Sequence, residues 1–396
     1  MKYEFSNRIN NVKASAIREI LKMTADSQMI SFAGGNPAKE AFPVYEIEKI
    51  SADILREDPI SILQYGITEG DQMLIAEATR FFNRHEKVTK SRDKTIITSG
   101  SQQIMELVTK CLCNEGDIVV CENPSFLGAL NSFKSLGVVL KGIDYKNGQL
   151  DLEMLEKVLS SYPKPKFMYL IPNFQNPTGI TMSLEVRKKV LSLAKRYKVC
   201  ILEDNPYGDL RFEGEELPSL KSLDEDGLVI YAASLSKIIA PGMRVACCIG
   251  PQEVLEKLVV TKQVSDVHTN LWAQKVIAQY LHQYDIEEHI QSIRQIYQRK
   301  CDLMLREMKK SFHCDVQYTK PSGGMFIWVT LPANMDMNKF VQEALKQNVA
   351  IVPGNAFLDD DTKTCQSFRM NYSTPTDEKI VEGVQILGRL TYSMNE

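Results

Sequence analysis

Between residues 95 and 250 the chain alternates short apolar, β-branched runs with longer stretches in which apolar residues recur at helical spacing. The runs are TIITS (95–99), DIVVCE (117–122), VVLKGI (138–143), KFMYLIP (166–172), VCILED (199–204), LVIYAAS (228–234) and VACCIG (245–250). Several are apolar at consecutive positions, so both faces of the strand would be buried, as in a sheet covered by helices on both sides. Stretches such as SQQIMELVTKCL and SLEVRKKVLSLAKRYK separate them, the second opened by Ser183 and charged along one face. The pattern predicts an α/β fold, a large domain built on a seven-stranded, mostly parallel sheet.

The C-terminal part changes character. A long charged helix is predicted from about Ile286 to Lys310, followed by VQYTKPSGGMFIWVTL, a helix around MNKFVQEALKQN, the short run VAIVP, and SFRMNYS. Mixed elements of this kind predict a smaller α+β domain. The expected division is an N-terminal segment, 1–45, packing with the small domain; a large domain, 46–280; and the small C-terminal domain, 281–396.

Composition narrows the function classes. At 396 residues the chain is long enough for two cores. The 47 Lys and Arg are nearly balanced by 50 Asp and Glu and are spread along the chain. That gives no field suited to a nucleic-acid backbone. No apolar stretch reaches membrane-spanning length, and the first twenty residues lack the apolar core of a signal peptide. Most of the nine cysteines sit inside apolar runs, as buried thiols do in a reducing compartment, and the five histidines form no ligand pattern near a cysteine. The expectation is a cytoplasmic, soluble protein with no metal.

In an open α/β sheet, ligands bind beyond the carboxyl ends of the strands, so the residues after each run are the informative ones. After TIIT come Ser99, Gly100 and Ser101, which can cap a helix or hold a phosphate on its free amides. After FMYLIP comes NFQNPTG, a turn or a loop presenting Asn176. After VCILE come Asp204 and Tyr207; a carboxylate there is expensive to bury without a cation or donor. Phe126 offers a flat ring after another strand. AASLSKIIAPGMRVA (232–246) adds Lys237 and Arg244, and SFRMNYS adds Arg369. Each has an ordinary structural reading alone. Together they supply an amine, an acid, anion donors, a stacking ring and a carboxylate-binding arginine, the set that pyridoxal 5'-phosphate needs.

The order SGSQQ, NPTG, EDNPY, SLSKIIAPGMR, SFRMNY resembles the fold-type I, class I and II pyridoxal phosphate aminotransferases, over essentially the whole chain. SFAGGNPAKEAFP, LQYGITEG, PNFQNPTG and HTNLWAQ resemble the branch that contains 2-aminoadipate aminotransferases and kynurenine aminotransferase type II. The resemblance implies an aspartate aminotransferase-like fold and a homodimer. Lys237 matches the Schiff-base lysine, which also shuttles the substrate proton. Ser101, Gln102, Ser234 and Arg244, with Ser236, match the phosphate site; Asn176 and Tyr207 match donors to the ring hydroxyl oxygen, and Asp204 the partner of the ring nitrogen. Phe126 stands at the stacking position, where close relatives usually carry tyrosine. Tyr65 matches a tyrosine that reaches the neighbouring subunit's phosphate. Arg369, with Gly35 and Asn176, matches the site for the substrate α-carboxylate, and Arg18 an arginine that meets a side-chain carboxylate.

The activity implied is ping-pong transfer of an amino group between an amino acid and a 2-oxoacid, with 2-oxoglutarate and glutamate as one pair. The other donor is aromatic, branched-chain or 2-aminoadipate. A pyridoxal phosphate lyase on the same fold is the alternative enzyme, and a non-catalytic aminotransferase-like regulator the alternative outside enzymes; no basic helix-turn-helix pattern accompanies the cofactor motifs.

Overall fold

The computed structural model describes residues 3–10 and 29–394. Its strands in chain order are β1 Ile30–Ser31, β2 Asp93–Thr98, β3 Ile118–Asn123, β4 Val139–Lys146, β5 Gln149–Leu150, β6 Phe167–Leu170, β7 Cys200–Asn205, β8 Val229–Ser234, β9 Ala246–Pro251, β10 Gln317–Tyr318, β11 Phe326–Thr330, β12 Val349–Ala350, β13 Val352–Pro353 and β14 Ser367–Asn371. All seven predicted runs become strands of one sheet, ordered β2-β9-β8-β7-β6-β3-β4-β5. The eighth strand, β5, was not anticipated. It is two residues long and folds back on β4 through Asn147-Gly148, both at positive φ, an Asn-Gly hairpin turn readable in YKNGQL.

Pairing is parallel from β4 through β3, β6 and β7 to β8, and antiparallel where β9 lies between β8 and β2. Six strands therefore point one way, and β5 and β9 the other. Register makes this useful: Thr98 and Ser234 both stand opposite Ala246, so β2 and β8 end where β9 begins. The ends of β2, β7 and β8 and the start of β9 thus lie along one edge of the sheet.

Apolar layers cover both faces. One includes Met105, Tyr169 and Leu202; the other includes Met168, Ile201 and Val190. The helix Leu184–Tyr197 starts where expected, Ser183 accepting from the Val186 amide at 3.3 Å. The long charged helix spans Ile286–Ser311, capped by Asp285.

The smaller part holds a four-stranded antiparallel sheet ordered β10-β11-β14-β13. VAIVP, expected as one run, divides at Ile351. β12 pairs in parallel with β1, whereas β13 joins β14. The N-terminal strand is thereby hydrogen-bonded to C-terminal chain, the Ile30 amide donating to the Asn348 carbonyl and Phe32 to Ala350, both at 2.8 Å.

One buried ion pair ties the start of the edge strand β2 to the short helix Leu220–Leu223. Lys221 Nζ lies 3.0 Å from Asp93 Oδ1, with side chains 1% and 0% exposed. Asp93→Asn leaves that ammonium buried without a counter-charge, so a loss of about 3–5 kcal/mol is expected in urea denaturation. A loss below about 1 kcal/mol, the size of a surface pair, would show that the pair does not hold this edge.

Candidate active site

Where β2, β7 and β8 end, a cavity of about 300 Å³ opens. Gly35, Ser101, Gln102, Phe126, Asn176, Asp204, Tyr207, Ser234, Ser236, Lys237, Arg244 and Arg369 all line it. Tyr65 does not: it is 80% exposed, its ring edge-on to His268 at 5.8 Å. Arg18 lies outside the described residues.

Asp204 is next to last in β7 and almost fully buried. Oδ2 accepts the Tyr169 hydroxyl at 2.8 Å, but Oδ1 is buried with no hydrogen-bond partner. Burial raises the carboxyl to about 7, against the Tyr169 hydrogen bond and the Lys237 charge, which both favour the anion. An orphaned carboxylate oxygen on a residue that lines a cavity is a place for a cationic N–H.

Lys237 follows β8 by three residues, and its Nζ donates to the Gly35 carbonyl at 2.8 Å. Burial first, then the charges of Arg244 and Arg369, pull its amine down to about 8, while Asp204 opposes them. Near neutral pH this lysine has access to the free amine, the form that attacks a carbonyl.

At the other end, Gly100 and Ser101 begin the helix Ser101–Leu112, and Arg244 lies across them. A Cβ on Gly100, which sits at φ +80, would come within 2.4 Å of the Arg244 Nη2, so only glycine admits the guanidinium here. Ser234 Oγ accepts the Ser236 amide at 3.3 Å, placing both serines beside this end. Free amides at a helix start, hydroxyls and a guanidinium make an anion site.

Asn176 and Tyr207 meet across the cavity, Nδ2 donating to the phenol at 3.3 Å. Arg369, in β14, spends one nitrogen on Asn176 Oδ1 at 2.8 Å and another on the Ala33 carbonyl at 2.7 Å, while Nε stays buried without a partner. Its guanidinium lies 4.2 Å over the Phe326 ring and 5.0 Å from that of Phe357. Burial lowers it to about 10, so it remains cationic at neutral pH.

Some contributors were not found from the sequence. Tyr169 supports Asp204 from inside β6, where a tyrosine in an apolar run reads as core. Gly128 lets the Phe126 ring and Gln102 share one space: a Cβ there would meet the ring at 2.5 Å and Gln102 Oε1 at 2.8 Å. Phe326 packs against Tyr207 from another domain's worth of sequence away. One expectation needs correction, that no histidine stands in a ligand pattern near a cysteine. The ligand atoms of His313, Cys314 and Asp315 lie within 4.8 Å of one another. They are consecutive residues in a turn, so proximity follows from the backbone, and none of them lines the cavity.

The residues present suit a phosphorylated, aldehyde-bearing aromatic group carrying a ring nitrogen: the orphan Asp204 oxygen, the amine of Lys237, and the anion site around Gly100 each match one part of it.

The sequence profile described as aminotransferase class I and II matches residues 27–387. An aromatic-amino-acid aminotransferase of Thermococcus litoralis is 38% identical over 388 residues, covering 97% of this chain and 93% of the relative. A 2-aminoadipate transaminase of Thermus thermophilus is 38% identical over 389 residues, covering 97% and 96%. The crystal structure of a multiple substrate aminotransferase from Thermococcus profundus superposes with a TM-score of 0.94 at 35% identity, covering 99% of this chain and 98% of that one. With the profile spanning nearly the whole sheet and cavity, the chain belongs to the aminotransferase class I and II family.

Proposed function

We propose that this aminotransferase passes an amino group between 2-oxoglutarate/glutamate and an aromatic, branched-chain or 2-aminoadipate partner, each half-reaction using the same cavity. The carrying observation is the orphaned Asp204 oxygen sharing that cavity with Lys237 and Arg369. Relatives named for aromatic and aminoadipate substrates support the donor range.

Pyridoxal 5'-phosphate, when bound, supplies an aldehyde for amines and a ring that draws electrons from the attached carbon. In this reading Asp204 Oδ1 accepts from the ring nitrogen and keeps it protonated. Ser101, Gln102, Ser234, Ser236 and Arg244 hold the phosphate, and Phe126 stacks on the ring. Asn176 and Tyr207 donate to the ring hydroxyl oxygen. Lys237 Nζ would hold the aldehyde, and as a free amine it would take the donor's Cα proton and return it. Arg369 binds the α-carboxylate beside Gly35 and Asn176 with two parallel bonds, and its contacts to Asn176 and Ala33 already fix the fork. Arg18 is the proposed partner for a side-chain carboxylate.

The same reading makes the protein a homodimer in which Tyr65 serves the neighbouring site. Leu63, Tyr65, Ile67, Val264 and Val267 are all exposed, and the 65–67 turn packs on Leu271 and His268. It assigns residues 1–45 and 281–396 to one substrate-side unit and 46–280 to the cofactor domain, supported by the β1–β12 pairing and the Arg369–Ala33 bond. Nine unpaired cysteines, four of them buried, favour a reducing compartment such as the cytoplasm. Among the described residues, no helix is long and apolar enough to cross a membrane.

A panel of amino donors against 2-oxoglutarate tests class and substrate together. Glutamate alone should release one equivalent of 2-oxoglutarate per site; sustained turnover without an oxoacid would indicate a lyase. Lys237→Ala should abolish turnover, and Asp204→Asn should retain cofactor while losing several orders of magnitude in rate. Wild-type rates in either variant would remove that residue's assignment. The capture rate of pyridoxal phosphate by cofactor-free protein should climb with pH and level off above about 8, as Lys237 loses its proton. A climb continuing towards 10.5 would mark Lys237 as an ordinary lysine.

A further inference from the structure

Behind the anion end of the cavity, and not lining it, lies a second cation. Lys262, on the helix Gln252–Gln263, has no exposed surface. Its Nζ donates to Gln103 Oε1 at 3.0 Å, Asp266 Oδ1 and Oδ2 at 2.7 and 2.9 Å, and Thr269 Oγ1 at 3.1 Å. A buried ammonium survives only with such partners, and burial does lower it against the pull of Asp266.

These partners converge on Ser99. Gln103 Oε1 also accepts the Ser99 amide at 2.8 Å. Ser99 Oγ donates to Asp266 Oδ2 at 2.8 Å and lies 3.2 Å from Thr269 Oγ1. The Ser99 carbonyl receives Arg244 Nη2 at 3.4 Å. The residue that precedes Gly100 and Ser101 is therefore gripped at its amide, its hydroxyl and its carbonyl, and the first two grips run back to Lys262.

We propose that Lys262 is a positioning residue for the phosphate end, fixing the Ser99–Ser101 turn and, through the Ser99 carbonyl, the approach of Arg244. The inference rests on the cofactor reading above. It predicts an effect confined to the phosphate: a loose turn weakens anion binding and leaves the ring's partners, Asp204, Asn176 and Tyr207, in place. A merely structural lysine would weaken binding of every cofactor form alike.

The test compares pyridoxal 5'-phosphate with pyridoxal, which lacks the phosphate, by equilibrium absorbance titration of cofactor-free wild type, Lys262→Met and Gln103→Met. Gln103→Met cuts the link between Lys262 and the Ser99 amide, removes no charge, and carries the test if Lys262→Met fails to fold. For both variants the dissociation constant for pyridoxal 5'-phosphate should rise about tenfold or more, the scale of a lost charge-assisted contact, with that for pyridoxal within about twofold of wild type. Equal loss of both ligands, or wild-type affinity for both, overturns the inference. If wild type itself binds pyridoxal 5'-phosphate no better than pyridoxal, the cofactor reading is what fails.

Discussion

Among the described residues, Lys237, Arg244 and Arg369 share one cavity with a single carboxylate, Asp204, and the site follows from that imbalance. Cations held together in low dielectric repel, and Arg244 and Arg369 accordingly help to depress the Lys237 amine. An anion at each arginine relieves the repulsion. A phosphate at Arg244 and a carboxylate at Arg369 would do so from opposite ends, leaving the amine between them. Asp204, the one carboxylate among the described lining residues, is raised by burial and keeps one oxygen unpartnered, so a cation there would stabilise both. The cavity is thus complementary to a molecule that is anionic at its ends and cationic on one side of a ring.

Backbone register delivers these groups to one place. Because β2 and β8 end level with the start of β9, Ser101, Ser234 and Arg244 can face one anion although more than 130 residues separate the first two. The antiparallel insertion of β9 brings Arg244 back beside the helix start at Gly100, which a parallel strand entered from the far edge would not do. Small residues are required where these parts crowd, at Gly100 under Arg244 and at Gly128 under Phe126.

What the sequence disclosed divides along physical lines. Runs apolar on both faces were legible because burial is written into consecutive residues, and all seven became strands; the two-residue β5 escaped because a hairpin arm that short carries no periodicity. Residues just after the strand runs were legible because polarity there departs abruptly from the run before it, and Ser101, Asn176, Asp204 and Lys237 among them line one cavity. Tyr169 and Lys262 were not, since an apolar-run tyrosine and a lysine in an ordinary helix acquire meaning only from partners on other elements. VAIVP hid its division at Ile351 for the same reason: the two halves differ in neighbours, not in character.

That division gives five residues an unusual mechanical role. Val349 is paired with Ile30, and three positions later Val352 is paired with Arg369 itself. Phe32 also accepts the Asn371 amide, and Ala33 the Arg369 guanidinium. The N-terminal strand and the arginine strand are therefore geared through one stiff linker, with no loop to absorb a change in either. A slip of β1 along its pairing with β12 would therefore transmit a displacement to the guanidinium. Adaptation to a new donor has little room within that gear.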